Sequence, residues 1–135
     1  MITRLGAVPV FVSDQEKALE FYRDRLGFVV VDDQQYGDFR WVTVARQKGE
    51  TEIILFKPVP SLGPGAEALK ERIGTWTGIV FHSDDVWGDY ERLREKGVRF
   101  EAEPTRQGWG GVETWFFDPD GNRFHLGQLP AGRDS

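Results

Sequence analysis

Residues 7–12 form a short apolar run with β-branched side chains, which predicts a strand. Pro9 lacks an amide donor and suits a strand edge or a strand start. A helix is predicted next. Ser13 and Glu16 have capping-box spacing, with Asp14 as a competing N-cap. Leu19, Tyr22 and Leu26 make one apolar stripe at helical spacing, and Gly27 sits where a left-handed residue ends a helix. Three strands are predicted after it, over 28–32, 39–45 and 51–56, with turns at Tyr36-Gly37-Asp38 and Lys48-Gly49-Glu50.

Residues 57–75 break the pattern. The stretch 57–65 is rich in Pro and Gly and reads as a linker, followed by a short helix over 66–72. The first pattern then returns. Residues 77–83 read as a strand, and Asp84 or Asp85 caps a helix carrying Val86, Tyr90 and Leu93 on one stripe. Gly97 ends that helix, and strands are predicted over 98–102, 112–117 and 122–127. Asp118-Pro119-Asp120-Gly121-Asn122 is a strong hairpin turn between the last two. An offset of 71 places Asp14 on Asp85 and Arg23 on Arg94, and an offset of 70 places Gly27 on Gly97. The repeated order of elements predicts an α+β fold of two βαβββ modules. The first spans 1–56, the linker 57–75 and the second 76–130, within one domain. Two such modules are expected to form an open, cup-shaped mixed sheet with helices outside.

Strand alternation assigns the faces. Ile53 and Leu55 are expected to meet the helix, which turns Glu52, Ile54 and Phe56 inward. Val42 and Val44 suit the helix side, leaving Trp41 and Thr43 inward. In the second module Ile79, Phe81, Phe116, Phe124 and Leu126 suit the helix side. That leaves Gly78, Val80, His82, Trp115, Arg123 and His125 inward. Phe11 on the first strand and Trp109, set among the glycines of 108–111, complete the candidate ligand-binding set. Trp109 reads as an aromatic lip beside the pocket. Trp76 is assigned to the junction of the modules and Trp87 to packing. An aromatic surface with a few convergent polar groups is the make-up of a small-molecule site.

Composition narrows the classes further. Five Trp and ten Phe are many for 135 residues, and they strengthen the pocket reading. The formal charge is −5, which argues against nucleic-acid binding. There is no Cys, so disulfides, thiolate nucleophiles and thiolate metal sites are excluded. No apolar run approaches the roughly 20 residues of a membrane span, and the first residues lack a signal-peptide pattern. The expectation is therefore a cytoplasmic protein with no membrane and no nucleic-acid partner.

Three stretches carry a resemblance: 12–28, 83–98 and 118–122. Together they make the chain resemble the vicinal oxygen chelate superfamily, which includes glyoxalase I, bleomycin resistance proteins and extradiol dioxygenases. The resemblance implies paired βαβββ modules, a homodimer and a cleft inside the cup. Metal-dependent members place one ligand on the first and one on the last strand of each module. Those positions here are Ala7, Glu52, Gly78 and His125. Glu52 and His125 are candidate ligands for a divalent ion, whereas Ala7 and Gly78 have no ligating side chain. The pattern is more similar to the bleomycin-resistance branch, which binds its ligand without a metal.

Two functions follow. The first is a homodimeric binding protein that holds an aromatic or polycyclic guest with no cofactor. The alternative is a divalent-metal lyase, isomerase or dioxygenase using Glu52, His125 and, in one version, His82. A metal-free reaction with His125 as acid or base has neither a nucleophile nor an orienting partner visible in the sequence.

Overall fold

The computed structural model describes residues 1–132. It divides into two compact units, Met1–Gly74 and a second beginning at Thr75. The first unit contains β1 (Ala7–Phe11), α1 (Gln15–Leu19), β2 (Val29–Tyr36), β3 (Phe39–Ala45), β4 (Glu52–Phe56) and α2 (Gly65–Lys70). Its sheet runs β1-β4-β3-β2, with β1 and β4 parallel and the other pairs antiparallel. Pro9 lies on edge strand β1, where a missing donor is tolerated. Val10, Val42, Val44, Ile53 and Leu55 are buried with Ala18, Leu19, Phe21 and Tyr22. This is the helix-side core that alternation predicted.

Asp14, not Ser13, is the N-cap of α1; its carboxylate accepts from the amides of Glu16 and Lys17. The expected single helix to Leu26 widens into a π-helical turn over Glu20–Arg25. There Leu26 N donates to Phe21 O at 3.0 Å and Phe28 N to Tyr22 O at 2.9 Å. Consecutive aromatics, Phe21 and Tyr22, are both buried, which a regular stripe of every third or fourth residue does not anticipate. β2 continues to Tyr36, beyond the predicted end at 32, through a bulge between Val30 and Asp32. Its outer half is polar and exposed, so only its pairing with β3 reveals it. Within 57–74 a 3-10 turn forms over Pro60–Leu62 ahead of α2.

The second unit contains β5 (Trp76–His82), α3 (Val86–Glu95), β6 (Arg99–Phe100), β7 (Thr105–Arg106), β8 (Val112–Phe117) and β9 (Arg123–Gln128). The order is β5-β9-β8-β6, β5 and β9 are parallel, and β7 also pairs with β8. Asp85 caps α3 by accepting from Gly88 N, and Val86, Tyr90 and Leu93 are buried. The strand predicted over 98–102 shortens to two residues, and β7 is an element that the apolar pattern did not signal. Pro104, with no amide donor, lies between them. Helix seating is alike in both units. Gln15 Nε2 donates to the carbonyls of Arg40 and Leu55 at 2.9 Å, while Gln128 Oε1 accepts from Val86 N at 2.9 Å. Among the described residues no helix is long and apolar enough to cross a membrane.

The hairpin between β8 and β9 is organised by a buried carboxylate. Asp118 Oδ1 accepts from the amides of Asp120 and Asn122, and Oδ2 accepts from Asn122 Nδ2 at 2.8 Å. Gly121 has φ +85°, as the turn requires. Asp118→Ala withdraws all three acceptor contacts, and a loss of about 1–3 kcal/mol is expected in urea unfolding. A second carboxylate tunes acid stability. Arg40 donates to both oxygens of Asp33 at 2.9 and 2.8 Å, and to Glu16 at 2.7 Å. The Arg40 hydrogen bonds hold the Asp33 carboxyl below the usual carboxylate range. This stability is present above the unfolded-state pKa and lost as pH falls through the lower folded value. Exposure and salt screening limit it to about 0.2–1 kcal/mol. Asp33→Asn is therefore expected to lower stability at pH 7 by that amount and to be indistinguishable from wild type near pH 2.

Candidate functional site

In the first unit, register decides which side chains share the face away from α1. β1 and β4 align Ala7 with Glu52, Pro9 with Ile54 and Phe11 with Phe56. β3 aligns Thr43 with Ile54 and carries Trp41 and Phe39 on the same face. Phe56 stands 5.3 Å from Phe11 and 5.3 Å from Phe39, ring centroid to centroid. Phe11, Trp41, Glu52, Ile54 and Phe56 thus occupy one face, each partly buried. Phe39 joins them; its two-residue spacing from Trp41 was the available signal. Glu52 is tied to the sheet, because Oε1 accepts from the buried Thr43 hydroxyl at 2.6 Å. Arg72 stands over the Phe11 ring at 5.6 Å.

In the second unit the face away from α3 centres on Trp115. Its cross-strand partner is His125, whose ring lies edge-on at 4.6 Å. The Arg123 guanidinium covers Trp115 at 3.7 Å and forms two hydrogen bonds with Glu101, at 3.0 and 2.9 Å. Trp76 packs edge-on against Trp115 at 5.3 Å and remains 47% exposed. Sequence reasoning left Trp76 out of the site, yet it is an exposed ring on this face. Trp115, expected to face inward, has the Arg123 guanidinium on its ring. Trp109 is 54% exposed, and His82 is exposed at the end of β5, aligned with Gly127.

The largest departure from expectation is a partner for His125. Its Nε2 lies 2.7 Å from Glu113 Oε2. Glu113 is not the cross-strand partner of His125; it aligns with Gly127. The imidazole therefore leans along β9, across Gly127, to reach it. A Cβ at Gly127 would fall 2.9 Å from His125 Cε1 and 3.4 Å from Nδ1. Only a bare backbone leaves room for this diagonal. A carboxylate oxygen accepts, so Nε2 is the donor in this contact. Nδ1 is buried and has no hydrogen-bond partner. Glu113 was legible as an inward position two residues before Trp115, but nothing in the pattern linked it to His125.

The four positions implied for a metal hold one carboxylate and one imidazole. Gly78 has φ +76° and lies where the β5–β9 register shifts, between Trp76 and Val80. Among the described residues no group of three or more His, Asp or Glu side chains gathers to hold a metal ion. Glu52 is bonded to Thr43, and the free nitrogen of His125 is buried against Gly127. Within each unit, the implied positions thus bring no more than one ligating side chain together.

Comparison with known proteins agrees with this framework. A family model described as the Glyoxalase/Bleomycin resistance protein/Dioxygenase superfamily matches residues 4–126. YetH of Bacillus subtilis (strain 168) is 35% identical over 127 residues, covering 93% of this chain and 98% of that protein. A crystal structure from the same superfamily, from Sphaerobacter thermophilus DSM 20745, is 39% identical with a TM-score of 0.82. It covers 94% of this chain and 98% of its own. TnmS3, an antibiotic binding protein from Streptomyces sp. CB03234, is 35% identical with a TM-score of 0.75. The match covers 95% of this chain and 97% of that one.

Gly127→Ala is expected to push the imidazole off Glu113. The ¹⁵N shifts of His125 would then lose the fixed Nε2–H form and report a mixture of tautomers. Glu113→Ala, which removes the acceptor, should do the same with no Cβ added at residue 127, and an unchanged tautomer in both variants would refute the pairing.

Proposed function

We propose that this chain, which belongs to the glyoxalase/bleomycin resistance protein/dioxygenase superfamily, is a small-molecule binding protein that holds a planar aromatic guest without a metal. The observation that carries the reading is the chemistry of the faces away from the helices. They present Phe11, Phe39, Phe56, Trp41, Trp76 and Trp115, while Glu52 is bonded to Thr43, Arg123 to Glu101 and His125 Nε2 to Glu113. Aromatic rings of this kind bind planar guests by stacking and by edge contacts, each worth about 0.5–1.5 kcal/mol beyond area burial. The likeness to TnmS3, an antibiotic binding protein, supports a small-molecule ligand. The reading includes a homodimer and a cytoplasmic location. Light scattering would then give twice the 15.4 kDa chain mass.

The alternative is a metal-dependent lyase, isomerase or dioxygenase using Glu52 and His125. It is favoured by one observation, that two of the four implied positions carry ligating side chains. One experiment separates the two. Titration with proflavine, a planar cation, and with anthraquinone-2-sulfonate, a planar anion, is followed by Trp fluorescence with and without chelator. The expected result is saturable quenching by at least one dye, unchanged by chelator. Trp76→Ala should weaken it roughly three- to tenfold, the size of one aromatic contact. Stoichiometric metal retained by native protein and lost in Glu52→Ala and His125→Ala would establish the alternative instead.

A further inference from the structure

Trp109 occupies a position that its own sequence neighbours define. It stands at the tip of the connection between β7 and β8, where Gln107 N donates to Gly111 O at 2.7 Å and Gly110 N to Gln107 O at 2.9 Å. Gly110 has φ +96°, a conformation that other residues rarely adopt, and a Cβ there would lie 3.4 Å from Pro130. The backbone of this turn is therefore pinned on both sides. The indole at its tip is not: it is 54% exposed. The ring folds back over Gly111, so that a Cβ built on Gly111 would fall inside it. Gly111 immediately precedes β8, and strand alternation gives it the same face as Glu113 and Trp115. The bare backbone at residue 111 is thus a seat that holds the Trp109 ring on the face of the His125–Glu113 pair.

From this geometry we infer that Gly111 is a specificity-determining residue. It sets the resting position of the Trp109 ring, and so how much of the face beside Glu113 a planar guest reaches. The inference deepens the proposed binding function and rests on it for the guest, whereas the seating of the ring stands on geometry alone. Because the atoms displaced by a Cβ are the far end of one side chain, Gly111→Ala costs little stability while moving the ring. Gly111 lacks a positive φ, so alanine is compatible with its backbone. Gly108, in the same turn, also lacks a positive φ, and a Cβ there would meet nothing within 4 Å. It provides the control.

The test uses the full chain labelled with 5-fluorotryptophan, with the Trp109 resonance assigned from Trp109→Phe. In Gly111→Ala that resonance is expected to shift while the other four Trp signals hold, and in Gly108→Ala it is expected to stay. An unmoved resonance in Gly111→Ala, or an equal movement in Gly108→Ala, overturns the seating. Proflavine and anthraquinone-2-sulfonate titrations then read the consequence. Gly111→Ala and Trp109→Ala should each change the affinity of the bound dye roughly three- to tenfold. Gly111→Ala should add nothing once Trp109 is alanine. Additive effects in that cycle overturn the link between the two residues. If Gly111→Ala does not fold, unchanged dye affinity in Trp109→Ala overturns the specificity role. Dye binding by no variant, wild type included, overturns the proposed function, while the fluorine spectra still decide where the ring sits.

Discussion

In each unit one face of the sheet packs against a helix, α1 in the first and α3 in the second, and buries the apolar core there. That asymmetry governs both units. The apolar β-branched and leucine side chains go to the helix side, where Val42, Val44 and Leu55 are buried completely, as is the aromatic Phe124. The remaining face must be built from side chains that tolerate partial exposure, and the chain uses aromatics with polar edges for it. Because a one-residue slip would exchange the two faces, register is strongly specified. Gln15, which ties α1 to strand carbonyls, and Gln128 of β9, which accepts from the first amide of α3, act on the same requirement. They fix the helix against one face without adding anything to the other.

Parallel pairing of the first and last strand in each unit is the second constraint. Such a pair cannot close through a tight hairpin, so a helix and further strands, two in the first unit and three in the second, are threaded between its members. The result brings together residues far apart in sequence. Ala7 is set beside Glu52, and Val80 beside His125. Positions with chemical potential are thus generated by topology, and what the chain does with them depends on the residue placed there. Here alanine and a bulged glycine occupy two of them.

The order of strands and helices was legible because a period of two and a period of three to four alternate cleanly along the chain. Face assignment in β3, β4, β8 and β9 followed from the same alternation. What could not be read was whatever depends on pairing rather than pattern. The polar half of β2 exists through its ladder with β3, and β7 through two residues against β8. The π-helical turn is invisible to a search for regular stripes. In the site, single residues were legible but their pairings were not. Thr43 and Glu52 are cross-strand diagonals, as are Glu113 and His125, and such diagonals appear only once register is known. The decisive residue in the second case, Gly127, acts by lacking a side chain.

These pairings also bear on whether the faces serve recognition or metal chemistry. A histidine that binds a metal commonly gives its second N–H to a carboxylate, so Glu113 behind His125 would, by itself, be compatible with a ligating imidazole. The distinction lies in where the other nitrogen points. Nδ1 is buried, and the ring edge that bears it lies over Gly127, where a Cβ would be 3.4 Å away. Exposing Nδ1 requires the ring to rotate, which breaks the contact with Glu113. Releasing Glu52 Oε1 requires loss of the Thr43 hydrogen bond. Hydrogen bonds to charged groups are worth about 1.5–3 kcal/mol each, so turning the His125 ring toward an ion carries a cost of that order, whereas Glu52 keeps Oε2 outside its bond to Thr43. No such cost attaches to a planar guest laid against Trp76 or Phe56, since those rings are held by edge contacts that leave the pairings intact. The same hydrogen bonds that weaken the case for a metal keep the aromatic faces in one arrangement, and preorganisation of that kind lowers the cost of binding.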